Sequence, residues 1–193
     1  MNTVPAQAAG LYALLQQYEA QNEQERSDRA LMLRYLQKGH TALTREDTAA
    51  HFTASAWVVN PARTHVLMAY HNIYKSWAWL GGHADGDDNL FAVAAREAEE
   101  ETGVRPLRPL STQPVSMEVL NVNAHIKRGQ YVSNHLHFNV TYLFEADPEG
   151  LLAVRPDENS AVGWRQIDWV LRDCNEEQMV PIYQKLLALM QTI

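Results

Sequence analysis

The sequence predicts an α/β protein: a mixed sheet held between helices, preceded by an N-terminal helical extension. Three features of the pattern carry this reading. A helical period runs through the N-terminal residues, apolar β-branched runs take over from His51, and amphipathic helical stretches follow Gly82 and end near Met190. The expected organisation is an extension over 1–48 and one domain over 49–193.

From Ala6 to Lys38 the periodicity gives two helices. Ala8, Leu11, Leu14, Leu15 and Tyr18 form one apolar stripe, and Leu31, Met32, Tyr35 and Leu36 form the other. Gln21–Asp28 reads as a polar connection between them. Thr44, with Asp47 three residues on, has the form of a capping box for a short helix before the first strand. These helices are expected to pack on the domain or to form a homodimer surface.

His51–Val59 and His65–His71 read as strands joined by Asn60-Pro61-Ala62-Arg63, whose residue types favour a turn. Trp77–Leu80 is a short strand feeding a glycine pair, Gly81-Gly82. Val115–Val122 and Asn134–Phe144 are further strands, Asp147–Gly150 is a turn, and Ala161–Ile167 is the last strand. Ile182, Tyr183, Leu186, Leu187 and Met190 line one face of a terminal helix, with Pro181 in its first turn.

Composition narrows the class. A 46% hydrophobic content gives a proper core, and the single cysteine, Cys174, excludes an internal disulfide framework and fits a reducing, cytoplasmic compartment. No apolar run approaches the length of a membrane span, and the N-terminus lacks the charged and apolar regions of a signal peptide. A net charge of −7 argues against binding to a nucleic-acid backbone, which needs clustered Lys and Arg.

That charge is concentrated. Between Asp85 and Glu101 stand Asp85, Asp87, Asp88, Glu97, Glu99, Glu100 and Glu101 against Arg96 alone, so most of the chain's net charge sits in this one stretch. With about 3.6 residues per helical turn, Glu97, Glu100 and Glu101 fall inside an arc of roughly 100°, while Glu99 points nearly the opposite way. Converging carboxylates raise one another's pKa unless a cation neutralises them. Hard divalent ions prefer oxygen ligands, and magnesium binds through a few carboxylates while keeping waters and substrate phosphates. The residues themselves therefore suggest a magnesium site for a phosphorylated ligand.

The segment Gly82–Val104 resembles the Nudix box: Gly82, Arg96, Glu97, Ala98, Glu100, Glu101, Gly103 and Val104 fall in register, and Asp88 stands where the pattern has its first Glu. The resemblance is close over the box, loose over the surrounding strands and absent from the first fifty or so residues. It implies a Nudix-type α/β/α sandwich and hydrolysis of a diphosphate linkage in a small molecule, a nucleoside diphosphate derivative, by a metal-activated water. Glu97, Glu100 and Glu101, with the Gly82 carbonyl, are then the ligands of Mg2+ or Mn2+. The resemblance also admits two lesser readings, a nucleotide-sensing module without hydrolysis and an enzyme like isopentenyl diphosphate isomerase. The three retained helix glutamates favour the hydrolase.

Arg96 lies one turn before Glu100, so an i,i+4 pair is placed to fix that carboxylate. Asp88 is one methylene shorter than Glu and reads first as a helix cap, beside Asp87 and Asn89. Many Nudix members use a further acid on a late loop as metal ligand or general base, and Glu158 is the best-placed candidate. His83 follows the glycine pair, suited to a softer metal, a phosphate or a loop hydrogen bond. His135 and His137 share a strand face with Asn139 and are candidates to line the substrate pocket or to act as general base. Trp77 and Trp79 are candidates to stack a ring, though such residues are more often core. Lys127 and Arg128 read as solvated.

Overall fold

The computed structural model describes residues 4–37, 40–127, 129–156 and 159–192. Along the chain run helices α1 (Ala9–Gln17) and α2 (Glu23–Leu36), then strands β1 (Ala50–Val59), β2 (His65–His71), β3 (Ser76–Ala78) and β4 (Leu80–His83). Helix α3 (Leu90–Thr102) precedes β5 (Arg108–Pro109), β6 (Ser116–Val122), β7 (His125–Lys127), β8 (Gln130–Val132), β9 (His135–Glu145) and β10 (Asn159–Gln166). Helices α4 (Ile167–Asp173) and α5 (Val180–Met190) follow. Lys38 and Arg128 lie outside the described residues. By contacts the chain divides into two compact units. One comprises residues up to Ala54, Gly82–Val93 and Ser116–Thr141; the other comprises Ser55–Gly81, Ala94–Val115 and the chain from Tyr142 onward.

In the first unit, α1 buries Leu11 and Leu15 as its stripe requires. Helix α2 starts at Glu23, inside the stretch read as a polar connection. Asn22 caps it, its side chain accepting from the Glu25 N–H at 2.8 Å. Glu25 is fully buried, and its carboxylate accepts from the Tyr18 hydroxyl at 2.9 Å and the Gln21 N–H at 2.7 Å. Ser116 reaches the same carboxylate at 3.5 Å and also donates to buried Glu118. Burial and the Glu25 charge push the Tyr18 hydroxyl well above its usual value. Polarity concealed this helix because its carboxylate is satisfied inside the protein rather than by water.

The same helix lies on β6. Gln24 donates to the Met117 carbonyl at 3.2 Å, and the Asp28 carboxylate accepts from the Val119 N–H at 2.9 Å. Of the two expectations for these helices, packing on the domain is the one observed. The short helix expected after Thr44 is displaced: a 3-10 turn occupies His40–Leu43, and Asp47 instead accepts from the N–H groups of Ala49 and Ala50 at 3.0 and 3.2 Å. Strand β6 runs antiparallel to β9, from Ser116 opposite Thr141 to Val122 opposite His135. Phe138 packs edge-on to Tyr35 and Phe52, with ring centroids 4.8 and 5.3 Å away.

In the second unit, β2 pairs antiparallel with β10, β1 and β3. The turn expected at Asn60–Arg63 forms, with the Asn60 side chain accepting from the N–H groups of Thr64 and His65 at 2.8 and 2.9 Å. The strand read over 77–80 breaks at Trp79, whose N–H leaves the ladder and donates to the Tyr183 hydroxyl at 3.1 Å. Trp57 is buried against Tyr183, with ring centroids 5.5 Å apart, and its indole N–H points at the Met190 sulfur. Helix α5 begins one residue before Pro181, as the sequence indicates. Helix α4 was not anticipated, because seven residues with a single buried apolar side chain, Val170, carry no readable period.

Glu145, at the end of β9, binds Arg63 at 2.5 Å and Arg108 at 2.9 Å, and these two guanidinium groups hold its carboxyl below the ordinary 4.5. A carboxylate whose folded pKa is depressed contributes stability above its unfolded value and loses it as pH falls through the folded value. Wild-type stability should therefore fall more steeply below pH 4.5 than that of Glu145→Gln. Urea midpoints across that window check this, and parallel curves would contradict it.

Candidate functional site

The acidic segment becomes a helix with defined ends. The Asn89 side chain caps α3, accepting from the Ala92 N–H at 3.2 Å, and Asp87 accepts from the Asn89 N–H at 3.0 Å. Asp88 is therefore not the cap; its carboxylate faces Gly10, where an added Cβ would stand 3.1 Å from it. Asp85 is paired with Arg45 at 2.6 Å. Leu90, Val93, Ala94 and Ala98 bury one face of α3. Gly103 ends the helix at φ 69°, as expected for a left-handed C-terminal residue, and the Ala153 N–H donates to the Thr102 carbonyl at 2.7 Å.

Glu97, Glu100 and Glu101 all lie in the second unit. Glu101 is only 6% exposed, yet both of its oxygens are held: one accepts from the Gly81 N–H at 3.0 Å, the other from the Asn159 amide at 3.2 Å. Glu97 is half-buried; Glu100 is exposed and pairs with Arg155 at 3.3 Å. Glu99, on the other side as its helical angle requires, pairs with Arg105 at 2.9 Å. Arg96 is exposed on the turn before Glu100. The donor set is all carboxylate oxygen, the chemistry magnesium prefers. A carboxylate offers about four lone-pair sites, so Glu101 keeps acceptor capacity beyond its two hydrogen bonds. The residues fit a hard divalent ion. Glu158, the expected late acid, lies outside the described residues, and Gly82 is half-buried on β4 in the first unit.

A second cluster belongs to the first unit. His83, His135 and His137 come together with His51, which sequence reasoning missed. His51, Thr53 and Ser55 alternate on β1, and this run of buried polar residues in an otherwise apolar strand was the available signal. His51, His83 and His137 each offer a ring nitrogen, and these atoms lie within 4.8 Å of one another. Among the described residues no other three metal-capable side chains are gathered so tightly. Desolvation is the largest cause lowering all three: His51 is lowered, His83 to about 3 and His137 to about 2, with the neighbouring histidines adding to the effect.

The tryptophans are engaged in packing. Trp77 lies edge-on to Tyr70, with the Arg165 guanidinium 4.7 Å from its ring centroid, and Trp79 packs edge-on to Tyr183.

Comparison with known proteins places the chain. The NUDIX domain model matches residues 49–189, and the chain belongs to that family. Its fold is the α/β/α sandwich with a mixed sheet, shared with a NUDIX-family hydrolase from Clostridium perfringens at TM-score 0.53 and 20% identity, covering 72% of this chain and 97% of that one. It is shared also with the Nudix hydrolase RenU from M. smegmatis, at TM-score 0.54 and 18% identity over 74% of this chain and 87% of that one. A CMP-5'-(N-acetyl-N-hydroxy-3-aminopropyl)phosphonate hydrolase of Streptomyces rubellomurinus is 44% identical over 57 residues, 28% of each chain. The match thus spans just over a quarter of that relative's length. No described helix is long and apolar enough to cross a membrane.

Proposed function

We propose that the chain is a magnesium-dependent hydrolase, also served by manganese, that cleaves a diphosphate linkage in a small molecule, a nucleoside diphosphate derivative. The observation that carries this reading is the buried Glu101 carboxylate, clamped by a backbone N–H and an amide on the helix that also bears Glu97 and Glu100. A solvated acidic face has no need of such a clamp. The named activity of the Streptomyces relative, on a CMP-linked phosphonate, supports a nucleotide-linked substrate.

Glu97, Glu100 and Glu101 would hold the metal. When bound, a divalent ion lowers the pKa of a water and neutralises charge on the phosphoryl oxygens. The chain's own part is to fix the carboxylates. Gly81 and Asn159 hold Glu101 in one orientation, so no rotamer search accompanies metal loading. Arg155 competes for Glu100, and exposed pairs of this kind contribute about 0–1 kcal/mol. Arg155→Gln should accordingly lower the magnesium concentration for half-maximal rate by roughly two- to fourfold; an unchanged or higher requirement would count against the competition. On the same reading the chain works in the cytoplasm, and its acidic balance keeps it off nucleic-acid backbones.

The test is turnover against nucleotide sugars, dinucleoside polyphosphates, coenzyme A and nucleoside triphosphates, with and without magnesium. Binding without turnover across the panel would favour a sensing module, and a product with its diphosphate intact would favour an isomerase.

A further inference from the structure

We propose that His51, His83 and His137 form a second metal site, for a zinc-class divalent ion bound through imidazole nitrogen. The site is separate in chemistry from the carboxylates of α3 and lies entirely within the first unit. Three strands supply it: His51 from β1, His83 from the end of β4 and His137 from β9.

Hydrogen bonding shows how the site is prepared. The His51 Nδ1 lies 3.0 Å from the Asp47 carbonyl, which can only accept, so that nitrogen carries the proton and Nε2 bears the lone pair. That Nε2 is buried and has no hydrogen-bond partner among the described residues. A buried acceptor left unpaired costs about 1–3 kcal/mol, so its persistence needs a reason. A ring whose Nδ1 proton is tied to a backbone carbonyl, leaving Nε2 as the open nitrogen, is the usual arrangement of a metal-ligating histidine, and the His51 ring lies about 5 Å from those of His83 and His137. His135 serves as a brace: its Nδ1 donates to the Ser133 carbonyl at 2.9 Å, so its Nε2 accepts from the His137 Nε2–H at 3.1 Å, which orients His137 and leaves the His137 Nδ1 as the lone-pair nitrogen.

Distances agree with this chemistry. Zinc binds imidazole nitrogen at about 2.0–2.1 Å, which places two ligands of a tetrahedral ion about 3.3 Å apart. The three nitrogens now within 4.8 Å close to that spacing by modest ring rotations. Imidazole suits zinc, cobalt, nickel and copper, whereas magnesium prefers carboxylate and water. Three imidazoles leave the fourth tetrahedral position to water.

The experiment uses the full chain, stripped with a chelator and titrated with Co2+, whose visible absorption separates tetrahedral nitrogen ligation from octahedral oxygen ligation. The expected result is one equivalent bound with tetrahedral bands, displaced by Zn2+. His51→Gln and His83→Gln should each weaken binding by at least about tenfold. Glu100→Gln should leave the bands unchanged, which separates this site from the carboxylate reading whether or not that reading survives. Absence of a stoichiometric tetrahedral signal in the wild type overturns the proposal, as does full retention of the signal in both histidine variants. Should either variant fold poorly by circular dichroism, a Zn2+-dependent rise in wild-type Tm keeps the test decisive, and no rise overturns the proposal.

Discussion

Under the proposed function, Glu101→Gln should lower kcat/KM by about a thousandfold, roughly 4 kcal/mol of transition-state stabilisation. The substitution keeps the shape and removes the charge. It also turns one of the two acceptor oxygens into an N–H donor. With its oxygen kept on the Gly81 N–H and the Asn159 amide turned to present its own oxygen to the new N–H, both contacts survive, so stability should change little. Glu100→Gln should also lower kcat/KM but leave the fold intact, since its side chain is exposed and its ion pair with Arg155 is weak. Glu99→Gln is the control: that carboxylate pairs with Arg105 on the other side of α3 and should leave turnover within about twofold. Steady-state kinetics on purified variants at saturating magnesium decide it. A Glu101→Gln enzyme with wild-type kcat/KM would remove the basis of the proposed function.

The second large effect is on stability. Glu25→Ala should cost about 3 kcal/mol, because it strands the Tyr18 hydroxyl and the Gln21 N–H and leaves a cavity. Glu25→Gln should cost less, since both donors meet the same carboxylate oxygen and an amide oxygen in that place accepts from both. Equilibrium denaturation in urea measures both. If the alanine variant unfolds at the wild-type midpoint, the buried network contributes nothing to the fold.

These two residues show what the sequence made legible. Glu101 stood out twice, in the helical angle it shares with Glu97 and Glu100 and in the spacing of glycines around it, and the structure shows its carboxylate buried and held at both oxygens. Glu25 did not stand out. An acid among Glu23, Gln24 and Arg26 looks solvated, and only the partners brought from Tyr18 and Ser116 reveal it as core. The long strands were readable because β1 and β9 are buried almost throughout and each carries an apolar run, Ala56–Val59 in β1 and Tyr142–Phe144 in β9. The short ones were not: β3 and β4 are separated by one hydrogen bond from Trp79 to Tyr183, a partner 104 residues away. His51 was missed for a similar reason. Its neighbours in space, His83 and His137, come from distant segments, and no local spacing announces a site assembled across three strands.

Gly103 closes α3 with little room to spare. A Cβ there would stand 3.1 Å from that of Ala153, at a backbone angle that side chains already resist. The segment docked on this glycine continues two residues to Arg155, the cation that meets Glu100. Inserting or deleting a residue between Ala153 and Arg155 would swing the guanidinium off the Glu100 carboxylate while the helix itself stayed in place. Under the proposed function, the ion's occupancy would then depend on a contact outside its own coordination sphere, set by the length of a surface strap.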